Sequence, residues 1–270
     1  MLKDKVASAI LAIVLLSALC ACGPTPVVTR TPVTFEFAVA TSAQPLMDEL
    51  ASAYQATHTY VSFKTRYGNS TQAVEALWAG QVDLAAASWL ADSDRESIWM
   101  TPIAIDGVAI VVHPSNPVKA LSILQLRDIF RGRTAEWPDV GGPKGEVAVI
   151  SRESGSGTRA HFEERVMEGR NVTVNAVIGA SEQGVLDYIR SVTTSIGYVS
   201  SGYLTDTVNA IAVEGVEISP ATLAERRYPL SRPLLVITPE EPHGELRAFV
   251  AWVLGPQGQA IVEKKYGRVK

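Results

Sequence analysis

The sequence predicts an α/β protein with mainly parallel sheets. Three observations predict it. From Val33 onward, short apolar runs of strand length alternate with amphipathic runs of helix length. Ser, Thr and Gly gather where strands give way to helices. The 270 residues are 47% hydrophobic and 19% charged, the make-up of a folded chain with room for one large or two medium domains.

The elements follow in order. Phe35-Glu36-Phe37-Ala38-Val39 alternates as a strand does. Pro45 suits the first turn of a helix, where its missing N–H costs little, and Leu46, Leu50 and Tyr54 recur at four-residue spacing. Val61 to Tyr67 reads as a second strand. A helix over Gln72 to Ala79 is expected to turn Val74, Leu77 and Trp78 inward and to stop at Gly80. Val82 to Ala87 and Gly107 to Val112 suit buried strands, the latter ended by His113-Pro114-Ser115-Asn116-Pro117. Ser122-Ile123-Leu124-Gln125 has the form of a capping box and opens a helix that stops at Gly132. Val147 to Ile150 and Ile196 to Val199 read as strands, and His161 to Met167 and Gln183 to Val192 as helices. Leu246, Phe249, Val250 and Val253 mark an amphipathic helix that ends at Gly255-Pro256.

The N-terminus carries a different signal. Lys3 and Lys5 precede an apolar run from Val6 to Leu19, of signal-peptide length and too short to span a bilayer comfortably. Leu19-Cys20-Ala21-Cys22 resembles a bacterial lipobox, which implies cleavage before Cys22 and lipidation of its thiol. A plain secretory signal or an uncleaved anchor helix are the other readings. Residues 1–21 are thus expected to be a signal peptide. Residues 22–32, a lipidated Cys followed by a Pro- and Thr-rich stretch, are expected to be a flexible tether. The expected location is extracytoplasmic, anchored to the cell membrane by lipid.

Charge and ligand chemistry exclude several classes. A formal net charge of −4 argues against a general nucleic-acid binder. The four His and two Cys have no metal-ligand spacing, so neither a metal nor a cofactor is expected.

One local pattern occurs three times: a strand ends, hydroxyl residues follow, and a helix begins. Val39-Ala40 leads to Thr41-Ser42, Tyr67-Gly68-Asn69 leads to Ser70-Thr71, and Val149-Ile150 leads to the run Ser151 to Thr158. Each helix start offers uncommitted N–H groups and a partial positive charge, which together suit an anion. Any one of these turns could be no more than an N-cap, since Ser and Thr are favoured there. The third carries more than a cap needs. Gly155 and Gly157 admit close backbone approach, and Arg152 supplies a planar fork that matches two oxygens of a tetrahedral oxyanion.

At these residues the chain resembles the phosphate-binding lipoproteins of bacterial phosphate ABC transporters, within the type II periplasmic-binding-protein superfamily. The resemblance runs from Phe35 to Gly267. It rests on Ala104 to Ala109, Leu126 to Phe130, Trp137 with Val140 to Pro143, Ser151 to Arg159, Ile196 to Val199, Tyr228 to Pro233 and Gly258 to Ile261. It implies two α/β lobes joined by crossover strands and closing on the ligand at a hinge. The expected division is 33–112 with 206–270 for the first lobe and 113–205 for the second. By motif position it puts the phosphate contacts on Thr41, Ser42, Ser70, Ser88, Arg152, Ser156, Gly157 and Thr158. The implied function is capture of inorganic phosphate, as a monomer, for delivery to an ABC transporter permease, with no catalysis.

Two departures keep the choice of oxyanion open. Val39-Ala40 stand where the family often has Gly-Ser, and Trp89 stands where it usually has Arg or Asp after the Ser88 position. Trp89 is either a pocket wall or a core aromatic, and Arg66, Asp92 or Arg95 could compensate. The alternative is the same fold binding molybdate, sulfate or a phosphonate, or serving as a ligand sensor or adhesion protein. An enzyme reading is set aside. Ser156 precedes His161 by five residues, but Ser154 to Thr158 is no Gly-x-Ser-x-Gly elbow, and His161 is expected to face solvent.

Overall fold

The computed structural model describes residues 30–92 and 98–269. The expected signal peptide, the lipobox with Cys22 and most of the tether lie outside the described residues, as does Arg95.

β1 (Val33–Ala40) leads through a short 3-10 turn into α1 (Gln44–Thr57), whose first turn holds Pro45 and whose buried stripe is Leu46, Met47, Leu50 and Tyr54. β2 (Val61–Gly68), α2 (Ser70–Trp78) and β3 (Leu84–Ala87) follow. β4 (Trp99–Val112) begins well before the predicted Gly107. β5 (Ala120–Leu121) precedes α3 (Ile123–Phe130), which opens on the predicted capping box: Ser122 Oγ accepts from Gln125 N–H while the Gln125 side chain accepts from Ser122 N–H. Next come β6 (Ala148–Arg152) and α4 (Gly157–Phe162), which continues as a π-helical turn over Glu163–Met167. β7 (Val177–Gly179), α5 (Glu182–Ser191), β8 (Ser195–Ser200), β9 (Asn209–Val213) and α6 (Pro220–Ala224) complete the middle of the chain. β10 (Ser231–Thr238), α7 (Gly244–Val253) and α8 (Pro256–Val262) close it. Gly255-Pro256 ends α7 as predicted and also starts α8, with Gly255 as its cap.

The strands lie in the order β2-β1-β3-β10-β4-β8-β6-β7, with β9 beside β4 and β5 beside β9. The flanks are parallel, as expected: β2-β1-β3 on one side and β8-β6-β7 on the other. The middle is not. β10 runs antiparallel to β3 and β4, and β4 runs antiparallel to β8 and β9. The reason is the chain path. It crosses the sheet outward on β4 and returns on β10, and an outward and a returning pass side by side must be antiparallel. β10 escaped sequence reading because Arg232 and Pro233 interrupt its apolar run, and Pro102 interrupts β4 opposite it.

Apolar packing divides along those two strands. On one side Phe37, Leu46, Leu50, Tyr54, Leu234, Phe249 and Val253 share a core. On the other Val108, Ile110, Phe130, Trp137, Phe162 and Tyr198 share another. The second core also contains Ile211, Val213, Leu223, Tyr228 and Leu230. The expected lobe boundaries at 112 and 206 therefore differ from where the packing changes. Residues up to Leu230 belong with the second core because β9 pairs with the distal half of β4. Trp78 is also corrected. The buried stripe of α2 is Ser70, Ala73, Val74 and Leu77, and Trp78 falls beyond its edge, 47% exposed.

Candidate anion-binding site

The three hydroxyl-bearing turns differ in how their helices are capped. Ala40 and Ala43 occupy the cap positions of the first turn and neither makes a side-chain cap. The hydroxyls of Thr41 and Ser42 therefore cap nothing. Ser42 Oγ shares a 3.0 Å hydrogen bond with Ser88 Oγ, and Thr41 Oγ1 accepts from Arg152 Nη2 at 3.3 Å. At the second turn Asn69 is the cap, in a capping box with Gln72. Ser70 becomes the first helical residue, and its buried Oγ has no hydrogen-bond partner among the described residues. Only at the third turn does a predicted site hydroxyl serve as a cap: Ser156 Oγ accepts from Arg159 N–H at 3.2 Å.

Two glycines let the third turn approach the others. Gly155 has φ +82°, and a Cβ there would lie 2.9 Å from the Asn69 amide. A Cβ on Gly157 would lie 2.3 Å from Ser70 Oγ and 2.5 Å from Ser88 Oγ. Only a glycine permits this approach. The structure thus brings Ser70, Ser88 and Gly157 to one point, ties Ser42 to Ser88, and ties Thr41 to Arg152. Thr158 joins Arg152 through a residue the sequence did not single out, Glu182. The side chains of Ser42, Ser70, Ser88, Arg152, Ser156 and Thr158 are all buried.

Arg152 is held on three sides. Nε and Nη2 donate to Glu153 Oε2 and Oε1 at 2.8 and 3.0 Å. Nη1 forms an ion pair with Glu182 Oε1 at 2.6 Å. Burial lowers the pKa of this guanidinium, and the carboxylates of Glu182 and Glu153 outweigh that, so it lies above the ordinary arginine value. A second cation stands nearby. Arg232 Nη2 donates to Thr158 Oγ1 at 3.0 Å, and Arg232 Nε and Nη2 both donate to Asp106 Oδ2 at 3.0 and 2.8 Å. Asp106 Oδ1 accepts from Ser200 Oγ, Ser201 N–H and Ser201 Oγ.

Glu153, Glu182, Asp106 and Arg232 are the site residues that sequence reasoning missed. Asp106 and Arg232 lie inside stretches that carry the family resemblance, and they face each other in register on β4 and β10. Nothing local marks Glu182, because its partners stand 24 and 30 residues earlier in the chain.

His161 is a correction. It does not face solvent: its Nε2 is enclosed with no hydrogen-bond partner among the described residues. Burial, then the charges of Arg232 and Arg165, push its pKa down to about 3. Trp89 is half-buried and lines a surface cavity of about 280 Å³ with Ser70, Thr71, Glu75 and Trp78. Arg66 turns away to bond Gln81, and Asp92 is exposed.

An α/β fold with hydroxyls, a glycine-rich helix start and a buried guanidinium at one point is that of a solute-binding protein. Residues 26–257 match the PBP superfamily domain, and the chain belongs to that superfamily. A crystal structure with bound phosphate, of a Clostridium perfringens protein assigned to phosphate ABC transport, is 32% identical. It covers 88% of this chain and 100% of its own, with TM-score 0.83. An ABC-type phosphate transport receptor from Vibrio cholerae is 28% identical over 86% of this chain and 99% of its own, with TM-score 0.72. The phosphate-binding protein PstS of Bacillus subtilis is 26% identical over 69% of this chain, and the chain spans 64% of that relative's length.

Proposed function

We propose that the protein captures inorganic phosphate outside the cytoplasmic membrane and delivers it to the permease of an ABC transporter. One observation carries the reading. Gly157 brings a helix start against two serine hydroxyls, one of them buried and without a hydrogen-bond partner among the described residues, beside a buried arginine. An oxyanion would accept from such an uncommitted buried hydroxyl. The phosphate-bound Clostridium relative supports the choice of ligand.

In this reading the hydroxyls of Thr41, Ser42, Ser70 and Ser88, the N–H groups of Gly157 and Thr158, and Arg152 Nη1 surround the phosphate oxygens. Ser156 acts by capping the helix. The lobes run from Val33 to Ala104 with Ser231 onward, and from Ile105 to Leu230, following the apolar packing on either side of β4 and β10. The mature chain is held to the membrane by lipid on Cys22 and works as a monomer. No helix among the described residues is long and apolar enough to cross a membrane. The protein catalyses nothing.

Calorimetry of ligand-stripped protein against phosphate, sulfate, molybdate and phosphonates tests the proposal. Phosphate is expected to bind most tightly, and Arg152→Ala to weaken it about 100-fold or more, the scale for removing one partner of a buried charge pair. Heat with another anion and none with phosphate would refute the reading. Full affinity in Arg152→Ala would refute the site.

A further inference from the structure

The last described residues cross from one core to the other. Val262, at the end of α8, and Tyr266 are buried in the first core. Three residues further on, Val269 packs against the second. Between them Gly267 exchanges two backbone hydrogen bonds with Ile105, each 2.8 Å long. β4 changes cores at this same point, since Ala104 packs in the first and Ile105 in the second. The chain therefore passes between the cores a third time, in addition to β4 and β10.

This segment meets the second core's elements at close quarters. A Cβ on Gly267 would lie 2.4 Å from Ala224 N and 2.6 Å from the Leu223 carbonyl carbon, so only a glycine lets it lie on α6. The 3-10 turn Ser201–Tyr203, which follows β8, meets it as well. Lys265 Nζ donates to Gly202 O at 2.9 Å, and Lys265 O lies 3.3 Å from Ser201 Oγ. A Cβ on Gly202 would lie 1.8 Å from the Tyr266 hydroxyl oxygen. The Tyr266 ring is buried in a packed core and has no free space to step into. Its hydroxyl has no hydrogen-bond partner among the described residues, so its approach to Gly202 is one of shape and not of bonding. None of these groups is among the oxyanion contacts proposed above.

Contacts between the lobes last only while the lobes are together. Those of Lys265 with Ser201 and Gly202 involve protein atoms alone, so they favour the closed arrangement whether or not the site is filled. A contribution made in one of two states shifts the equilibrium toward that state, and a ligand enclosed there leaves more slowly. We infer that residues 264–269 form a strap that holds the lobes closed and slows ligand release. Gly267 is its pivot, the Lys265–Gly202 bond is its catch, and Tyr266 against Gly202 sets where closing stops. The inference rests on the two-lobed capture reading above and adds a control on release by residues outside the site.

The test uses the full protein and follows phosphate association and release by stopped-flow tryptophan fluorescence. Small-angle scattering with and without phosphate reports lobe separation. Lys265→Met keeps the side-chain stem and removes the catch. It should speed release about 3- to 10-fold, the worth of one hydrogen bond, and leave association unchanged. Gly202→Ala pushes the turn off Tyr266. It should speed release about tenfold or more and enlarge the radius of gyration with and without phosphate. Adding Tyr266→Leu to Gly202→Ala removes the obstructing end of the ring and should restore both readouts toward the wild type. Unchanged release and scattering in folded Lys265→Met and Gly202→Ala would overturn the inference. A lower melting temperature with unchanged release would overturn it too, since the segment would then only stabilise the fold. A wild type that binds no phosphate would overturn the capture reading instead. Scattering of the ligand-free proteins would then decide on the strap, and equal radii would overturn it. Should Gly202→Ala fail to fold, the exposed Lys265 decides.

Discussion

Arg152 is buried with its full charge, and it can be because oxygens of Glu153, Glu182 and Thr41 surround it. A buried guanidinium without such partners would carry a desolvation penalty of several kcal/mol. His161 solves the same problem by staying neutral. Its pKa falls from 6.5 to about 3, so the folded state resists a proton that the unfolded chain takes up below pH 6.5. The unfolded state then binds more protons, and stability should drop by about 1.4 kcal/mol per pH unit from this group as pH falls from 6.5 toward 3. Above 6.5 the group adds no pH dependence. His161→Gln should flatten the acid limb of stability, measured by urea unfolding at about pH 7, 5.5 and 4.5. A stability difference between variant and wild type that is constant across that range would contradict the account. Arg152 and Gly157 were legible in the sequence because an ordinary helix cap requires neither. Glu182 was not, because a lone glutamate after a serine looks like any helix start.

Among the elements, the distinction between a cap and a ligand-facing hydroxyl decides what each turn does. Asn69 caps α2 through Gln72 N–H at 2.9 Å, and its Nδ2 also donates to Ser154 O at 3.3 Å in the third turn. Ser122 caps α3 in the same manner without touching that loop. Either residue changed to Ala should lower stability by about 1 kcal/mol. Asn69→Ala should also weaken phosphate binding several-fold, while Ser122→Ala should leave it unchanged. Melting temperatures and calorimetry on the two variants read this contrast, and equal affinities would show that Asn69 only caps. Pattern reading found β1, β2, α1 and the Ser122 capping box, each of which announces itself through local spacing. It missed β9, β10 and the first half of β4. Central strands in a mixed sheet take their stability from neighbours, and prolines at 102 and 233 obscure the period.

The whole molecule turns on the pair of long strands where the two cores meet. Asp106 and Arg232 face each other there in register, and Arg232 reaches from that crossing to Thr158 in the third turn. Ser200 and Ser201 fasten Asp106 from the second core, while Ser200 Oγ lies 2.9 Å from Asp106 and 3.1 Å from Ser42 O in the first turn. A ligand received at the meeting of three loops should therefore stabilise the folded chain as a unit. Phosphate at 100 times its dissociation constant should add about 2.7 kcal/mol to unfolding, seen as a higher melting temperature. Calorimetric binding with no such rise would mean that the unfolded chain binds equally well, against a preformed site.

What the sequence by itself determined is local. Strand and helix periods, caps, the glycines of the third turn and the one arginine beside them depend on residues a few positions apart, and such spacing is written directly in the chain. The tertiary structure alone decided which strands run antiparallel, where the two cores divide, and which carboxylates answer the buried arginines. Those choices depend on groups as far apart as Asp106 and Arg232 being desolvated at the same place. A buried charge takes its partner from whatever the fold brings within reach, at any distance along the chain.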